Sequence, residues 1–140
     1  MQTQVSTASG FDPLRTYVHL PDGPEATLVP VSDDFWQTIH ARTDLHEGRL
    51  LTSYRFEADW THWERHPGGD EIVCLLAGAM DIVLEEQGGE RVVQLRGLCA
   101  CVVPRGVWHR GIVRSPSDAL VITRGKGTEQ RPVAKGGARP

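Results

Sequence analysis

The chain has 140 residues, of which 39% are hydrophobic and 24% are charged, and its formal net charge is -3. This length fits one globular domain, and the ordinary apolar content predicts a folded chain rather than a disordered one. The slightly acidic balance argues against a nucleic-acid-binding surface and leaves small molecules or other proteins as the expected partners.

The N-terminal sequence lacks the basic and apolar segments of a secretory signal peptide. No window reaches the roughly 18 apolar residues that a membrane helix requires. Three cysteines, Cys74, Cys99 and Cys101, form an odd set that suits a reducing compartment better than a disulfide framework. We therefore expect a cytoplasmic protein without membrane contact, in which Cys99 and Cys101 act as small apolar side chains of one strand.

Residues 1–31 contain only short apolar patches. We expect them to form an N-terminal arm that adds one strand to a sheet edge or to a second subunit. Ser32 precedes two aspartates and can cap a short helix over about residues 33–40, whose acidic first turn is favourable. This helix would lay its aromatic residues on the rest of the domain.

From residue 49 the apolar residues recur with a period of two, which is typical of half-buried β-strands. The predicted strands cover residues 49–57, 72–76, 80–85, 91–95, 97–103, 107–113 and 119–123. Turns are predicted at 104–106, at 115–118 and at 87–89, where two glycines supply positive-φ positions. Short strands at this spacing predict an all-β antiparallel sandwich or barrel.

Residues 125–140 offer almost no apolar side chains to bury. We therefore predict a flexible C-terminal tail. The predicted organisation is an N-terminal arm over residues 1–31, one barrel domain over residues 32–124 and this tail.

Two segments of the barrel carry the residue types that bind divalent metals. His62, Glu64 and His66 alternate along the chain, so a regular strand would point all three side chains to one face. Glu71 begins the next predicted strand, and a later turn delivers His109 into the strand that follows it. An imidazole pair with one or two carboxylates on rigid strands is typical of a metal site.

These segments resemble the two signature motifs of the cupin superfamily, whose members are small double-stranded β-helix, or jelly-roll, barrels. The first motif reads G-x5-H-x-H-x3or4-E-x6-G. Glu71, followed by six residues and then Gly78, fits its final part, and His66 stands at its second histidine. The first histidine position holds Glu64 instead.

The second motif reads G-x5-P-x-G-x2-H-x3-N, and Pro104, Gly106 and His109 fit its core. Its final asparagine position holds Val113. The resemblance covers about residues 48–124 and implies an all-β jelly-roll barrel with a short N-terminal helix. It also implies a homodimer, since cupins of this size usually pair and often exchange N-terminal strands.

The resemblance further implies that His66, Glu71 and His109 bind a divalent metal ion, with Glu64 as the fourth group. Two histidines and two carboxylates would cancel the charge of the ion and weaken it as a Lewis acid. Alternatively, Glu64 acts as a general base beside a 2-His-1-carboxylate face suited to Fe(II) and O₂. A third option places His62 on the metal. Fe, Zn, Mn and Ni all accept these donors, so the metal stays open.

Cupins are catalytically diverse, so the resemblance predicts the fold better than the reaction. We expect a metal-dependent enzyme, of the oxygenase or isomerase type, that acts on a small polar organic molecule while Glu64 or His62 moves protons. The alternatives are a small-molecule-binding or sensor protein, with or without metal, and a barrel with a vestigial pocket. Trp60, Trp63 and Trp108 flank the predicted ligands and either line an aromatic pocket or pack outside it.

Overall fold

The computed structural model describes residues 9–134 and 139–140. Their strands are β1 Thr16–Leu20, β2 Thr27–Pro30, β3 Arg49–Phe56, β4 His62–Arg65, β5 Glu71–Glu86, β6 Gly89–Arg96, β7 Cys99–Val103, β8 His109–Thr123 and β9 Glu129–Pro132. One helix, α1 Phe35–Thr38, is followed by 3-10 turns at Ile39–Ala41 and Thr43–Leu45. The predicted all-β fold with a short N-terminal helix is confirmed. Among the described residues, no helix has the length and hydropathy of a membrane span.

The strands pair antiparallel around the two longest ones, β5 and β8, which lie side by side. In the first half of the sheet, β7 flanks the start of β5, and β3, β1 and β2 continue outward from the end of β8. In the second half, β6 flanks the end of β5, and β4 and β9 lie beyond the start of β8. Inner side chains of both halves share one core, so the sheet closes on itself as a jelly-roll barrel.

The sheet bends between its halves through irregular pairing of β5 with β8 from Leu75 to Met80. Val73 and Leu75 face the core before the bend and Met80 faces it afterwards, so the inward-facing positions change from odd to even numbers. Gly78 lies within the bend with φ +101°, and a Cβ there would come within 2.4 Å of the Pro116 carbonyl oxygen. The final glycine of the first motif therefore stands where a side chain does not fit.

Two pairs of strands predicted from the sequence are single strands in the structure. The predicted strands 72–76 and 80–85 form one strand, β5, because the bend shifts the register without ending the pairing. The predicted turn at 115–118 is wrong, since β8 continues through it and places Asp118 opposite Arg55 of β3.

The N-terminal arm pairs with the edge of the sheet, which is the first of the two placements predicted for it. β1 pairs with both β2 and β3, and its Tyr17 packs with Phe35 of α1 in a second apolar cluster. The predicted capping by Ser32 is not observed, since Asp34 precedes the helix without a side-chain capping bond. The Ser32 hydroxyl instead donates to the Asp34 carboxylate. Residues 1–8 of the arm lie outside the described residues.

Part of the predicted flexible tail is a strand, because β9 pairs with β4 along its whole length. Polar contacts hold it there. Glu129 forms an ion pair of 2.8 Å with Arg65. The Arg131 guanidinium lies 5.1 Å from the ring of Trp63 and 4.5 Å from that of Trp108. Because β9 is held by polar contacts and has almost no apolar residues of its own, its hydrophobic pattern does not predict a strand. Residues 135–138 of the tail lie outside the described residues.

The Gly78→Ala substitution should lower the free energy of unfolding by about 2–4 kcal/mol, because it adds both left-handed backbone strain and a backbone clash. Urea denaturation followed by circular dichroism measures this change. Gly88→Ala is the matched control, since Gly88 also has positive φ but a Cβ there meets nothing within 4 Å. Equal losses for the two variants would show that the close approach to Pro116 is unimportant.

A buried carboxylate on the outer face of β5 gives the fold a dependence on pH. Asp81 is 2% exposed and forms ion pairs of 2.8 Å with Arg96 and with Arg114. Burial alone would raise the pKa of Asp81, but hydrogen bonds from the two arginines lower it. The resulting stabilisation is complete above the unfolded-state pKa of about 4 and is lost as pH falls through the lower folded-state pKa.

Asp81→Asn should therefore lower the free energy of unfolding at pH 7 by about 1–3 kcal/mol, with a smaller difference from wild type below about pH 4. Urea denaturation at several pH values between 3 and 7 provides the measurement. Asp118→Asn is the control, because its pair with Arg55 is largely exposed and should contribute only about 0–1 kcal/mol. A difference between Asp81→Asn and wild type that stays constant over this pH range would contradict the account.

Candidate metal centre

The structure brings together the three residues that match the cupin ligand positions. His66 follows β4, Glu71 begins β5 and His109 begins β8. His66 Nε2 lies 2.8 Å from Glu71 Oε2, and His109 Nε2 lies 3.0 Å from Glu71 Oε1. All three side chains are at least nine-tenths buried. Two imidazoles therefore meet at one carboxylate inside the barrel.

Backbone contacts between two loops set this arrangement. The β4–β5 loop contains Gly68 and Gly69, and its Asp70 carboxylate accepts a hydrogen bond of 2.8 Å from the Arg105 backbone N–H. The Gly106 N–H donates to the carbonyl of His66 at 3.1 Å. The two loops that carry the sequence motifs are thus bonded to each other, and Asp70 has the turn role expected of an aspartate.

Hydrogen bonds fix the tautomer of each imidazole. The Thr128 hydroxyl donates to the Gly125 carbonyl at 2.7 Å, so its oxygen accepts from His66 Nδ1, which lies 2.8 Å away. His109 Nδ1 lies 3.0 Å from the carbonyl oxygen of Val107, which can only accept. In the neutral form of either ring the proton is therefore on Nδ1, and the Nε2 lone pair points to the centre, as in metal-binding histidines.

This arrangement concentrates negative potential at a buried point. Burial alone would raise the pKa of Glu71, but its close contacts with the rings of His109 and His66 lower it to about 2. Burial would also lower the pKa of His109, but the contact with Glu71 raises it. His66 Nε2 is buried and, although near Glu71, makes no hydrogen bond of adequate geometry. A carboxylate between two imidazoles is stabilised by a positive charge, which either a proton or a metal ion can supply, and this nitrogen–oxygen donor set fits a divalent metal ion.

Glu64 lies on the cavity side of this centre. Its Oε2 is 3.8 Å from His66 Nε2, and one donor atom each of Glu64, His66 and His109 lie within 4.8 Å of one another. Gln130 Nε2 donates to Glu64 Oε1 at 3.0 Å, and the Thr123 hydroxyl donates to Glu71. Glu64 is thus near enough to be a fourth metal ligand, and exposed enough to exchange protons with the cavity.

His62 shares the face of Glu64 but lies farther out, at the rim of the cavity. Its ring is exposed and contacts the hydroxyl of Thr61 at 2.9 Å. Within the described part of the chain, the cluster of possible ligand atoms consists of Glu64, His66 and His109; Glu71 lies outside it as His62 does, but Glu71 contacts both imidazoles directly. This position favours the general-base alternative for His62 over the metal-ligand one.

An open cavity of about 610 Å³ leads from the surface to the centre. Four stacked or tilted rings form its aromatic column: Trp36, Tyr54, Phe56 and Trp60. Successive ring centroids lie 6.1, 4.9 and 5.7 Å apart, and the ring of Trp60 is 5.9 Å from that of His109. The column therefore reaches from the mouth of the cavity to the imidazoles.

The three tryptophans that flank the predicted ligands lie in different places. Trp60 lines the cavity, whereas Trp63 and Trp108 pack on the outside of the second half of the sheet. Sequence reasoning missed Thr128 and Gln130, which come from the segment assigned to the tail. Thr128 and Gln130 are two residues apart, so in an extended chain their side chains point to the same face. This spacing indicates a shared site only once β9 is recognised as a strand.

The cysteines have no part in the centre. Cys99 and Cys101 are free thiols that pack, partly buried, against the main core. Burial raises the pKa of Cys101 to about 11, so this thiol is neutral at physiological pH. Both residues thus occupy the apolar positions expected from the sequence.

Comparison with known proteins finds similarity at the level of structure. No protein-family model matches this chain, and no curated protein matches it. A cupin-2 domain protein from Shewanella frigidimarina is similar at 19% identity and a TM-score of 0.46, over 53% of this chain and 68% of that one. Hydroquinone 1,2-dioxygenase from Sphingomonas sp. TTNP3, with 4-hydroxybenzoate bound, is similar at 17% identity and a TM-score of 0.46, over 54% of this chain and 58% of that one. Oxalate oxidase is similar at 17% identity and a TM-score of 0.48, over 57% of this chain and 44% of that one, so the alignment spans less than half of that enzyme.

Thr128→Val should weaken the binding of Zn²⁺ to the centre by about 10-fold or more, because His66 loses the oxygen that fixes its tautomer. Isothermal titration calorimetry with Zn²⁺ measures the affinity. Thr61→Val is the matched control, since the Thr61 hydroxyl contacts only the exposed ring of His62 among the described side chains. An affinity unchanged by Thr128→Val would show that the hydroxyl does not orient the imidazole.

Proposed function

We propose that this chain is a cupin-fold metal-binding protein that acts as a metal-dependent enzyme on a small organic molecule held in the cavity. One observation carries the proposal: His66 Nε2 and His109 Nε2 converge on Glu71, and the Nδ1 bonds of both rings leave these nitrogens free as donors. Fe, Zn, Mn and Ni are all compatible with such a site. The homodimer and the cytoplasmic location expected from the sequence stay predictions.

The same three side chains could instead form a purely structural network, with a proton in place of the metal. That arrangement would keep a charged imidazolium and a carboxylate in a buried place, where ion pairs gain little net stability. It would also leave His66 Nε2 without a well-aligned partner. A divalent ion satisfies both nitrogens and the carboxylate together, and the open cavity gives it a route of entry.

A bound divalent ion would supply Lewis acidity and, if it is iron, redox chemistry. The side chains around it supply the rest. Glu64 faces the cavity, and Gln130 holds one of its carboxylate oxygens, so the other oxygen can take a proton from a molecule bound above His66. His62 at the rim can pass that proton to solvent. The aromatic column limits access of water and offers apolar ring edges to the bound molecule.

Metal analysis of the purified chain tests the centre itself. Wild type should retain about one divalent ion per chain, whereas His66→Ala and His109→Ala should each lose most of it, because three donors cannot be reduced to two without a large loss of affinity. His40→Ala is the matched control, since His40 lines the cavity but lies outside the donor cluster. Full metal content in both ligand variants would overturn the proposed site.

Glu64→Gln distinguishes a general-base role of Glu64 from a metal-ligand role. The same experiment distinguishes an enzyme from a small-molecule-binding protein. A general base predicts that metal content is kept while turnover falls by about 10²–10⁴-fold; a ligand predicts that metal is lost as well. Oxygen uptake by the Fe(II)-loaded chain, screened with small hydroxylated aromatic compounds, measures turnover. Tight binding of such a compound without turnover would favour the small-molecule-binding or sensor alternative.

A further inference from the structure

A tight turn at the mouth of the cavity carries Lys126. The Thr128 N–H donates to the Gly125 carbonyl at 3.0 Å, which closes a four-residue β-turn between β8 and β9. Gly127 has φ +82°, whereas Lys126, like every described residue other than glycine, does not have positive φ. This combination defines a type II turn, in which the third residue is preferably glycine.

The turn is fixed to the metal centre through its last residue. The Thr128 hydroxyl, which bonds back to the start of the turn, also accepts from His66 Nδ1 at 2.8 Å. A Cβ at Gly68 of the β4–β5 loop would lie only 3.3 Å from the Lys126 carbonyl oxygen, so the turn packs closely against that loop. The backbone of Lys126 therefore has a defined position relative to the imidazoles.

Lys126 brings a positive charge that the described part of the chain does not neutralise. Among the described residues that line the cavity, it is the only one with a permanent positive charge. Within residues 9–134 and 139–140, no ion pair involves Lys126, whereas Arg124 pairs with Asp22 and Arg131 pairs with Glu85. Lys126 is exposed as well as lining the cavity, so its ammonium can reach a molecule bound there.

The carboxylates that line the cavity are already engaged. Glu71 contacts the rings of His66 and His109, and Glu64 accepts from Gln130. The inference rests on the proposed function here, because a divalent ion beside both glutamates would have its two positive charges cancelled by them. The cavity is then left with one uncompensated positive charge, and it lies at the mouth.

We propose that Lys126 binds the carboxylate of a planar organic anion, whose ring system stacks on the aromatic column. Rings whose centroids are 4.9–6.1 Å apart give the column flat apolar faces. The lysine supplies a compact point charge for the anionic end. A monocarboxylate balances that charge, whereas a phosphate monoester, at about -1.5 to -2, exceeds it. The substrate class of the proposed enzyme is therefore a planar monocarboxylate, and a cavity of about 610 Å³ accommodates two fused rings.

Isothermal titration calorimetry with 2-naphthoate and 2-naphthamide tests the proposal, because the two probes share a ring system and differ in charge. At low ionic strength, the Zn²⁺-loaded wild-type chain should bind 2-naphthoate about 5–10-fold more tightly. Lys126→Met should abolish this preference and leave the affinity for 2-naphthamide unchanged, whereas Lys126→Arg should keep the preference. Arg124→Met is the matched control, since Arg124 lies outside the cavity lining and its charge is paired with Asp22.

A second variant tests the stacking half of the proposal. Trp36→Ala should weaken the binding of both probes by a similar factor, about 3–10-fold, because it removes the outermost face of the column. Trp36 is 46% exposed, so its removal should leave the fold intact. Circular dichroism checks that each variant is folded. Unchanged binding of both probes by Trp36→Ala would overturn the stacking.

Three results would overturn the anion site. They are a wild-type chain that binds neither probe or binds both equally, a preference that survives Lys126→Met, and a preference that Arg124→Met removes as fully. Metal content separates this inference from the proposed function, since Lys126 adds no donor to the cluster and Lys126→Met should keep its Zn²⁺. A wild-type chain that holds no metal but prefers 2-naphthoate through Lys126 would overturn the proposed function alone. A chain that holds metal without this preference would overturn the anion site alone.

Discussion

The buried carboxylate of Glu71 is the interaction on which the interior of this protein depends. It starts β5 in the first half of the sheet, while His66 and His109 approach it from β4 and β8 of the second half. A buried charge must be compensated, so the two rings have to reach it, and the halves are tied together at the bottom of the cavity. The same contact that closes the barrel thereby brings together the residues of the proposed metal site.

The surroundings of this centre are built from both sides of the sheet. Thr128 and Gln130 orient His66 and Glu64 from inside, and the strand that carries them is held from outside by stacked side chains. Arg131 of β9 lies between the rings of Trp63 and Trp108, and such cation–π contacts contribute roughly 0.5–1 kcal/mol each at exposed sites. The exterior stack thus positions polar groups that act in the interior.

The sequence predicted much of this arrangement, for identifiable physical reasons. Strand β3 was predictable because one of its faces is buried and the other is not, which produces a regular alternation. The convergence of His66, Glu71 and His109 was predictable only through the cupin motifs, since nothing local relates residues so far apart. Strand β9 was missed because ion pairs and indole rings hold it instead of its own apolar residues. Its contributions to the site were missed with it.

The bend at Gly78 makes the length of β5 as important as its composition. Inward-facing positions are odd before the bend and even after it. If the bend kept its irregular pairing, deletion or insertion of one residue between Glu71 and Met80 would turn Met80 to the solvent and Asp81 to the interior, away from its arginines. Chains descended from a common ancestor with this one should therefore vary in length at the β5–β6 hairpin, and keep the spacing between Glu71 and Met80 constant.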